Sequence, residues 1–297
     1  MMTIFQKMMY ATITITVACA VGVANYVYFP IEPTKKATDF FLEIDNYNKR
    51  TLKSLFPYEE VNYSLQVPNN MTYTTADFQK FKGTYLEKRK AVTTDYYKNI
   101  LFAGDSITYH LGMSSLNRPL ANYDVVAAGG LMVTSYADYK DTPVYNKSDS
   151  TEKSSIQWIS ELKPKIIYIN LGTNGISIIS NEKHIRLYEA LLDRIVAASP
   201  GSIIVLVSSP PWATQASSQT KTEIPVLNKK IDHFNMYLLE LAKKRGFYYL
   251  NASEDLKDSL GNLKGEYAAS ANDGIHWSQA GRTAYLNYIL EHPIPGY

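Results

Sequence analysis

The sequence has almost no cysteine and almost no excess of charge of either sign. Cys19 is its single cysteine, and 30 lysine and arginine residues nearly balance 28 aspartate and glutamate residues, which leaves a net charge of +2. One cysteine excludes an intrachain disulfide. A near-neutral chain gives no sign of the basic footprint that nucleic-acid-binding proteins carry, so we predict no nucleic-acid partner. The spacing of His, Asp and Glu suggests no metal site, and we expect no cofactor.

Charge is also absent from a long stretch near the N-terminus. No charged residue lies between Met8 and Phe29. As a helix rising about 1.5 Å per residue, this stretch would span roughly 33 Å, which is enough for a bilayer. We therefore predict a signal anchor, or transmembrane helix, within residues 1–30. Two alternatives stay open: a signal peptide cleaved near Ala18-Cys19-Ala20, and a lipoprotein modified at Cys19. All three place the remainder of the chain outside the cytoplasmic membrane.

The rest of the chain divides into two parts. Residues 31–97 are predicted to be a linker followed by a cap segment, with helical patterns at residues 40–55 and 76–91. Residues 98–297 are predicted to be the main domain.

In the second part, short apolar runs alternate with helical patterns. The predicted strands are residues 100–103, 125–128, 166–171, 203–207 and 247–250, and the clearest helices are residues 151–162, 184–198 and 226–244. Continuous apolar runs are typical of strands buried on both faces of a parallel sheet. Their alternation with helices indicates βαβ units. The predicted fold class is α/β: a three-layer α/β/α sandwich with a five-stranded parallel, flavodoxin-like sheet.

Polar residues able to carry out acyl transfer lie beyond these strands. Ser106 follows the first predicted strand, Asn174 follows the third, and Asp273 and His276 lie near the C-terminus. Ligands of an open parallel sheet bind beyond the carboxyl ends of its strands. A serine hydroxyl needs a base within hydrogen-bond reach, and His276 is the candidate base. Asp273, across Gly274, is placed to accept a hydrogen bond from the Nδ1–H of the imidazole.

Each of these residues also has a structural explanation. Ser106 or the aspartate before it would suit the N-cap of a helix, and residues 172–175 suit a turn. The amide of Asn174 is a candidate donor to an oxyanion. The histidines other than His276 lack such a carboxylate partner in the sequence and a structural role suits each of them, although the spacing of His110, one helical turn after Ser106, also allows it to line the same pocket. The remaining histidines, His184, His233 and His292, carry no comparable motif.

Taken together, these segments resemble the conserved blocks of the SGNH (GDSL-type) hydrolase superfamily. The resemblance covers roughly residues 98–292, and its blocks correspond here to residues 101–108, 171–174 and 273–278. It implies a covalent acyl-enzyme mechanism with Ser106 as nucleophile.

The resemblance also implies roles for the other site residues. His276 would act as general base, oriented by Asp273. The oxyanion would rest on the backbone amides of Ser106 and Gly130 and on the side chain of Asn174.

Two positions depart from the family pattern. The second block, residues 127–132, usually contains an asparagine, and here it offers the pair Gly129 and Gly130. We assign the oxyanion role to Gly130. The third block has Gly175 where an aspartate is common.

The resemblance and the predicted location together imply chemistry on cell-envelope or exopolysaccharide glycans. We predict an esterase that removes O-acetyl or other small acyl groups. The alternatives are an O-acetyltransferase with the same triad, a lipase or thioesterase, and a catalytically silent surface protein that binds glycan or scaffolds an assembly. The expected partners are an acylated glycan, the membrane and a membrane acyltransferase.

Two aromatic segments are predicted to form the pocket walls. They are residues 134–149, with Tyr136, Tyr139 and Tyr145, and residues 209–224, with Trp212. Tyr136 and Trp212 are the candidates for stacking on sugar rings, although packing within the protein would explain them equally well.

Overall fold

A computed structural model describes residues 80–112, 119–120, 122–139 and 153–297. Its centre is a parallel sheet of five strands: β1 Ile100–Gly104, β2 Asp124–Ala127, β3 Ile166–Asn170, β4 Ile203–Val207 and β5 Tyr248–Leu250. The strand order is β2-β1-β3-β4-β5. This is the flavodoxin-like order, in which the direction of winding reverses beside β1.

Helices connect the strands. In chain order they are α1 Ser106–Gly112, α2 Ser155–Leu162, α3 Asn181–Ala198, α4 Ile224–Arg245, α5 Ser253–Leu256 and α6 Gln279–Glu291. The connection through α1 leads from β1 to β2, on one side of β1. The connections through α2, α3 and α4 lead to β3, β4 and β5, which lie on the other side of β1. Right-handed crossovers therefore place α1 on one face of the sheet and the other three on the opposite face. Contacts of α3 with both α2 and α4 agree with this arrangement.

The sheet is buried on both faces, as the continuous apolar runs predict. All five residues of β1 and all five of β3 are buried. Helix α4 buries the predicted apolar stripe, which includes Leu227, Ile231 and Leu238, and ends at Gly246 with a φ of 68°. The observed bounds of the strands and long helices differ from the predicted ones by only a few residues.

The helix predicted over residues 76–91 is wrong for residues 81–91, although residue 80 is helical. Residues 81–91 form a turn at Gly83, with a φ of 85°, followed by extended chain. The N–H of Leu86 donates to the carbonyl of Tyr249, and the N–H of Tyr249 donates to the carbonyl of Thr84. Pairing with the edge of β5 thus overrides the helical pattern. Leu86 and the nearby Tyr97 are buried in the same core as the sheet.

The predicted anchor, the linker and the helical pattern at residues 40–55 lie outside the described residues. Within the described ranges, no helix is both long enough and apolar enough to span a bilayer.

Candidate active site

The turn between β1 and α1 fixes the position of Ser106. Asp105 caps the helix, because its Oδ1 accepts a hydrogen bond of 3.0 Å from the N–H of Ile107. Gly104 has no room for a side chain, since a Cβ there would lie 2.1 Å from Oγ1 of Thr108. Ser106 is consequently the first residue of α1, at the carboxyl end of a central strand, and is 8% exposed.

A short strand carries the other two triad candidates. Strand β7, Asp273–Trp277, pairs antiparallel with β6, Ala268–Ser270. The carbonyl of Gly274 accepts a hydrogen bond of 2.8 Å from the N–H of Ala213. A Cβ on Gly274 would lie 2.5 Å from the backbone nitrogen of Ala216. Glycine therefore lets β7 pack directly against the 3₁₀ helix Thr214–Gln219.

The structure brings Ser106, His276 and Asp273 into one hydrogen-bonded series. The Oγ of Ser106 lies 2.9 Å from Nε2 of His276, and Nδ1 of His276 lies 2.7 Å from Oδ2 of Asp273. An ionised carboxylate only accepts hydrogen bonds, so Nδ1–H donates to Asp273. Nε2 is then free to accept the hydroxyl proton of Ser106, as a general base requires.

Asp273 is held in its ionised form. Partial burial by itself would raise its pKa, but hydrogen bonds from the backbone N–H and ring of His276 and from the N–H of Ile275 lower the pKa of Asp273 overall. Both backbone hydrogen bonds reach Oδ1 and measure 3.0 Å. The carboxylate is thus charged at neutral pH and oriented towards the imidazole.

Two further ionisable groups adjoin the triad. Burial raises the pKa of Asp105 to about 7. Burial, followed by the neighbouring His276, lowers the pKa of His110 to about 4. The ring of His110 lies 4.6 Å from the ring of His276. His110 thus lines the site, as its spacing suggested, and is uncharged at neutral pH.

Asn174 connects two loops at the carboxyl edge of the sheet. Its Nδ2 donates a hydrogen bond of 2.9 Å to the carbonyl of Leu131. A side-chain amide has two N–H donors, and the second is left for a ligand, since no other hydrogen bond of Asn174 is found among the described residues. Gly130 precedes Leu131 in an exposed turn and has a φ of 72°. The first N–H of a helix has no acceptor within the helix, which leaves the N–H of Ser106 available too.

The two aromatic candidates for sugar stacking are buried in the core. Tyr136 is 0% exposed, and its hydroxyl donates to the carbonyl of Val126, while Trp212 is 4% exposed. Neither ring offers a face to a ligand, so the prediction that they line the pocket is wrong. Tyr145 lies outside the described residues.

A cavity lies between two loops that follow strands of the sheet, and one of its walls belongs to the predicted wall segment 209–224 whereas the other, at residues 177–178, was not predicted. Its volume is about 390 Å³, and it is lined by Ser177, Ile178 and residues 218–222. One wall begins at Ser177, three residues after Asn174. The other continues from the 3₁₀ helix that packs on β7. The lining is rich in hydroxyl groups and includes Lys221, a composition that no hydrophobic pattern would reveal.

His184 is buried behind the site and is not part of it. Both of its ring nitrogens lack a hydrogen-bond partner among the described residues, and its ring stacks on Phe234. No group of three His, Cys, Asp or Glu side chains in the described part of the chain is placed to hold a metal ion.

Several solved structures are similar in fold. A GDSL-like lipase from Bacteroides thetaiotaomicron shares 16% identity with a TM-score of 0.47, over 67% of this chain and 87% of that one. A carbohydrate acetylesterase family member from Sinorhizobium meliloti shares 16% identity with a TM-score of 0.44, over 65% and 95% of the two chains. Another carbohydrate acetylesterase from the same organism shares 13% identity with a TM-score of 0.43, over 64% and 95%.

No curated protein matches the sequence. A family model does, and it spans residues 102–284, from the strand before the nucleophile candidate to the helix after His276. The chain therefore belongs to the GDSL-like lipase/acylhydrolase family.

Proposed function

We propose that this protein is an extracytoplasmic serine esterase that removes O-acetyl or other small acyl groups from glycans. The observation that carries the proposal is the hydrogen-bonded series of Ser106, His276 and Asp273, in which the serine and the histidine are 170 positions apart in the chain. Membership of an acylhydrolase family supports the reaction class. The location outside the membrane rests on the uncharged stretch between Met8 and Phe29.

The first step is attack of Ser106 Oγ on the ester carbonyl. Nε2 of His276 takes the hydroxyl proton as the new C–O bond forms. The Asp273 carboxylate stabilises the resulting imidazolium through Nδ1–H. His276 then gives its proton to the leaving sugar oxygen, and the acyl group stays on Ser106.

The charge that develops on the carbonyl oxygen needs donors in fixed positions. The free N–H of the Asn174 side chain, the backbone N–H of Ser106 and that of Gly130 fill this role. Anchoring of Asn174 on the carbonyl of Leu131 fixes its amide beside the Gly130 turn before substrate arrives. A water molecule activated by His276 then releases the acyl group.

The cavity between residues 177–178 and 218–222 supports a glycan as the substrate. Its hydroxyl and amide side chains suit the many hydroxyl groups of a sugar chain, and Lys221 suits an acidic substituent. Ile178 is 69% exposed at its edge and offers one apolar contact. A long acyl chain would need a mostly apolar channel, which this lining does not provide.

An O-acetyltransferase is the second candidate function. The acyl-enzyme would be the same, with a sugar hydroxyl in place of water as the acceptor. The observation that favours this candidate is the same hydroxyl-rich cavity, since a sugar chain held there would also carry acceptor hydroxyls.

The reaction class is tested with the full-length protein in detergent and 4-nitrophenyl acetate. We expect turnover by the wild type, loss of at least about a thousandfold in Ser106→Ala, and unchanged turnover in Ser259→Ala, a matched exposed serine in the loop before β6. Equal rates for the wild type and Ser106→Ala would overturn the proposal.

The substrate class is tested with an O-acetylated xylo-oligosaccharide and with 4-nitrophenyl palmitate. The proposal expects acetate release from the first and little turnover of the second. Acetyl groups transferred to an added unacetylated oligosaccharide would favour the transferase. Preference for the palmitate ester would contradict a glycan substrate.

A further inference from the structure

We propose that the stacked rings of His184 and Phe234 form a platform that positions Asn174, and that His184 is the reason why residue 175 is a glycine. This inference rests on the proposed function in one respect, since it assigns Asn174 to the oxyanion site. His184 and Phe234 are positioning residues, because neither contacts the reacting atoms.

The platform joins two neighbouring helices. His184 lies on α3 and Phe234 on α4, and both side chains are completely buried. Their ring centroids are 4.4 Å apart with an angle of 26° between the planes. Stacking holds two flat rings in a defined relative orientation, so the pair offers a rigid surface to the turn that packs on it.

The turn that carries Asn174 packs on this surface through its two glycines. A Cβ on Gly172 would lie 2.7 Å from Cε1 of Phe234, and a Cβ on Gly175 would lie 2.7 Å from Cε1 of His184. Gly172 also has a φ of 136°, which side-chain-bearing residues rarely adopt. One glycine therefore rests on each ring, with Asn174 between them.

The same turn is closed by its own backbone. The N–H groups of Gly175 and Ile176 both donate to the carbonyl of Gly172, at 3.0 and 3.1 Å. Asn174 is thus fixed from two directions, by the platform beneath the turn and by its side-chain hydrogen bond to Leu131. A shift of the turn away from the rings would move the Asn174 amide relative to Ser106.

The chemistry of His184 supports a role for its shape rather than its polarity. Its two ring nitrogens are buried and unpartnered among the described residues, and burial, followed by the Lys230 ammonium, lowers the pKa of His184 to about 4. The ring is consequently neutral and contributes no hydrogen bond to the core. Imidazole is the smallest flat ring available, and only a hydrogen atom at position 175 fits above it.

This arrangement explains the departure from the family pattern in the third block. An aspartate at position 175 would place its Cβ against His184, and its carboxylate would enter a buried region. The ring at position 184 and the glycine at position 175 are therefore coupled, and a substitution at one position changes what the other tolerates.

A double-mutant cycle between positions 175 and 184 tests the coupling. With 4-nitrophenyl acetate, we expect Gly175→Ala to lower kcat by about tenfold to a hundredfold with little change in KM, since an oxyanion donor is displaced. Adding His184→Ala removes the obstructing ring, and the double variant should recover to within about threefold of His184→Ala alone. Gly201→Ala, at an open turn where nothing lies within 4 Å, is the matched control and should leave kcat unchanged.

Melting temperatures of the wild type, Gly175→Ala, His184→Ala and the double variant separate this inference from the proposed function. We expect the double variant to melt above Gly175→Ala alone, whether or not the protein is an esterase. A wild type without turnover would refute the proposed function, but the melting temperatures would still test the coupling between positions 175 and 184. Additive effects on melting temperature, or additive effects on kcat in an active enzyme, would overturn the platform.

A second variant covers the case in which Gly175→Ala fails to fold. Phe234→Leu removes the ring beneath Gly172 but keeps an apolar side chain on α4. We expect a fall in kcat of about tenfold with KM nearly unchanged. An unchanged kcat in a folded Phe234→Leu protein would contradict the platform.

Discussion

The imidazole ring of His110 lies 4.6 Å from the imidazole of His276, and the two ring planes are tilted by 43°. His110 is on α1, one turn after Ser106, whereas His276 is on β7. Burial and then the neighbouring His276 lower the pKa of His110 to about 4, the Arg282 guanidinium acts in the same direction, and Asp273 opposes them. His276 thus stands beside an uncharged ring when it accepts the serine proton.

Substitutions of His110 test whether turnover requires an uncharged side chain beside His276. His110→Phe keeps an uncharged ring against His276, and we expect kcat for 4-nitrophenyl acetate to stay within about threefold of the wild type. His110→Lys places a cation beside the imidazolium of the transition state, and we expect kcat to fall by about tenfold or more. Equal losses in both variants would show that the imidazole itself is required and would contradict this account.

The pH dependence of stability offers a separate test of the same residue. The pKa of His110 is lowered to about 4 in the folded protein, below its ordinary value of 6.5. The unfolded chain therefore binds more protons between these values, and the folded state loses stability as the pH falls from about 6.5 towards 4. Compared with His110→Phe, the wild type should lose about 1–2 kcal/mol in free energy of unfolding across this window, less than the full pKa shift implies, because solvent screens the half-buried ring. Denaturant unfolding at pH 7.5 and pH 4.5 measures the difference, and a constant gap between the two proteins would refute it.

Asn174→Ala tests the oxyanion site. Removal of one donor typically lowers kcat by about 10²–10³ with little effect on ground-state binding. We expect such a loss, because the proposed oxyanion site uses the second N–H of the Asn174 side chain, whose amide is held by Leu131. Asn287→Ala, at an exposed position on α6, is the matched control. A large rise in KM with kcat unchanged would instead assign Asn174 to substrate binding.

Gly104→Ala tests the packing beneath the nucleophile. The added methyl group would lie 2.1 Å from Oγ1 of Thr108 and 2.6 Å from the carbonyl oxygen of Asn170, on β3. We expect a loss of about 1–3 kcal/mol in the free energy of unfolding, as is typical of overpacked cores. Gly201→Ala should change it by less than about 0.5 kcal/mol. Equal stability of the two variants would show that the turn has room that the structure does not indicate.

The fold was predictable because its strands are buried on both faces. Residues 100–103, 166–171 and 203–207 are continuous apolar runs, and each corresponds to a strand of the sheet. The hydrogen-bonded series of Ser106, His276 and Asp273 was predictable for a different reason. The sequence motifs that contain these residues indicate that they converge beyond the strand ends. The short strand β7 was not, because its pairing with β6 and its packing on a 3₁₀ helix are tertiary contacts.

Aromatic residues were the least predictable feature of the site. Tyr136 and Trp212 are buried, although tyrosine and tryptophan suit both cores and sugar-binding surfaces. The cavity is lined instead by serine, threonine, glutamine and lysine side chains, which are as common on ordinary loops. The segment after Gly83 was predicted to be helical because its local sequence pattern does not reveal that it pairs with the edge of β5.

Covalent labelling shows whether Ser106 is the nucleophile. The full-length protein is incubated with a fluorophosphonate, digested and analysed by mass spectrometry, with Ser106→Ala and His276→Ala in parallel. We expect one adduct, on Ser106, which is absent from Ser106→Ala and forms much more slowly in His276→Ala. An adduct on a different residue, or no adduct on wild-type protein that hydrolyses 4-nitrophenyl acetate, would contradict it.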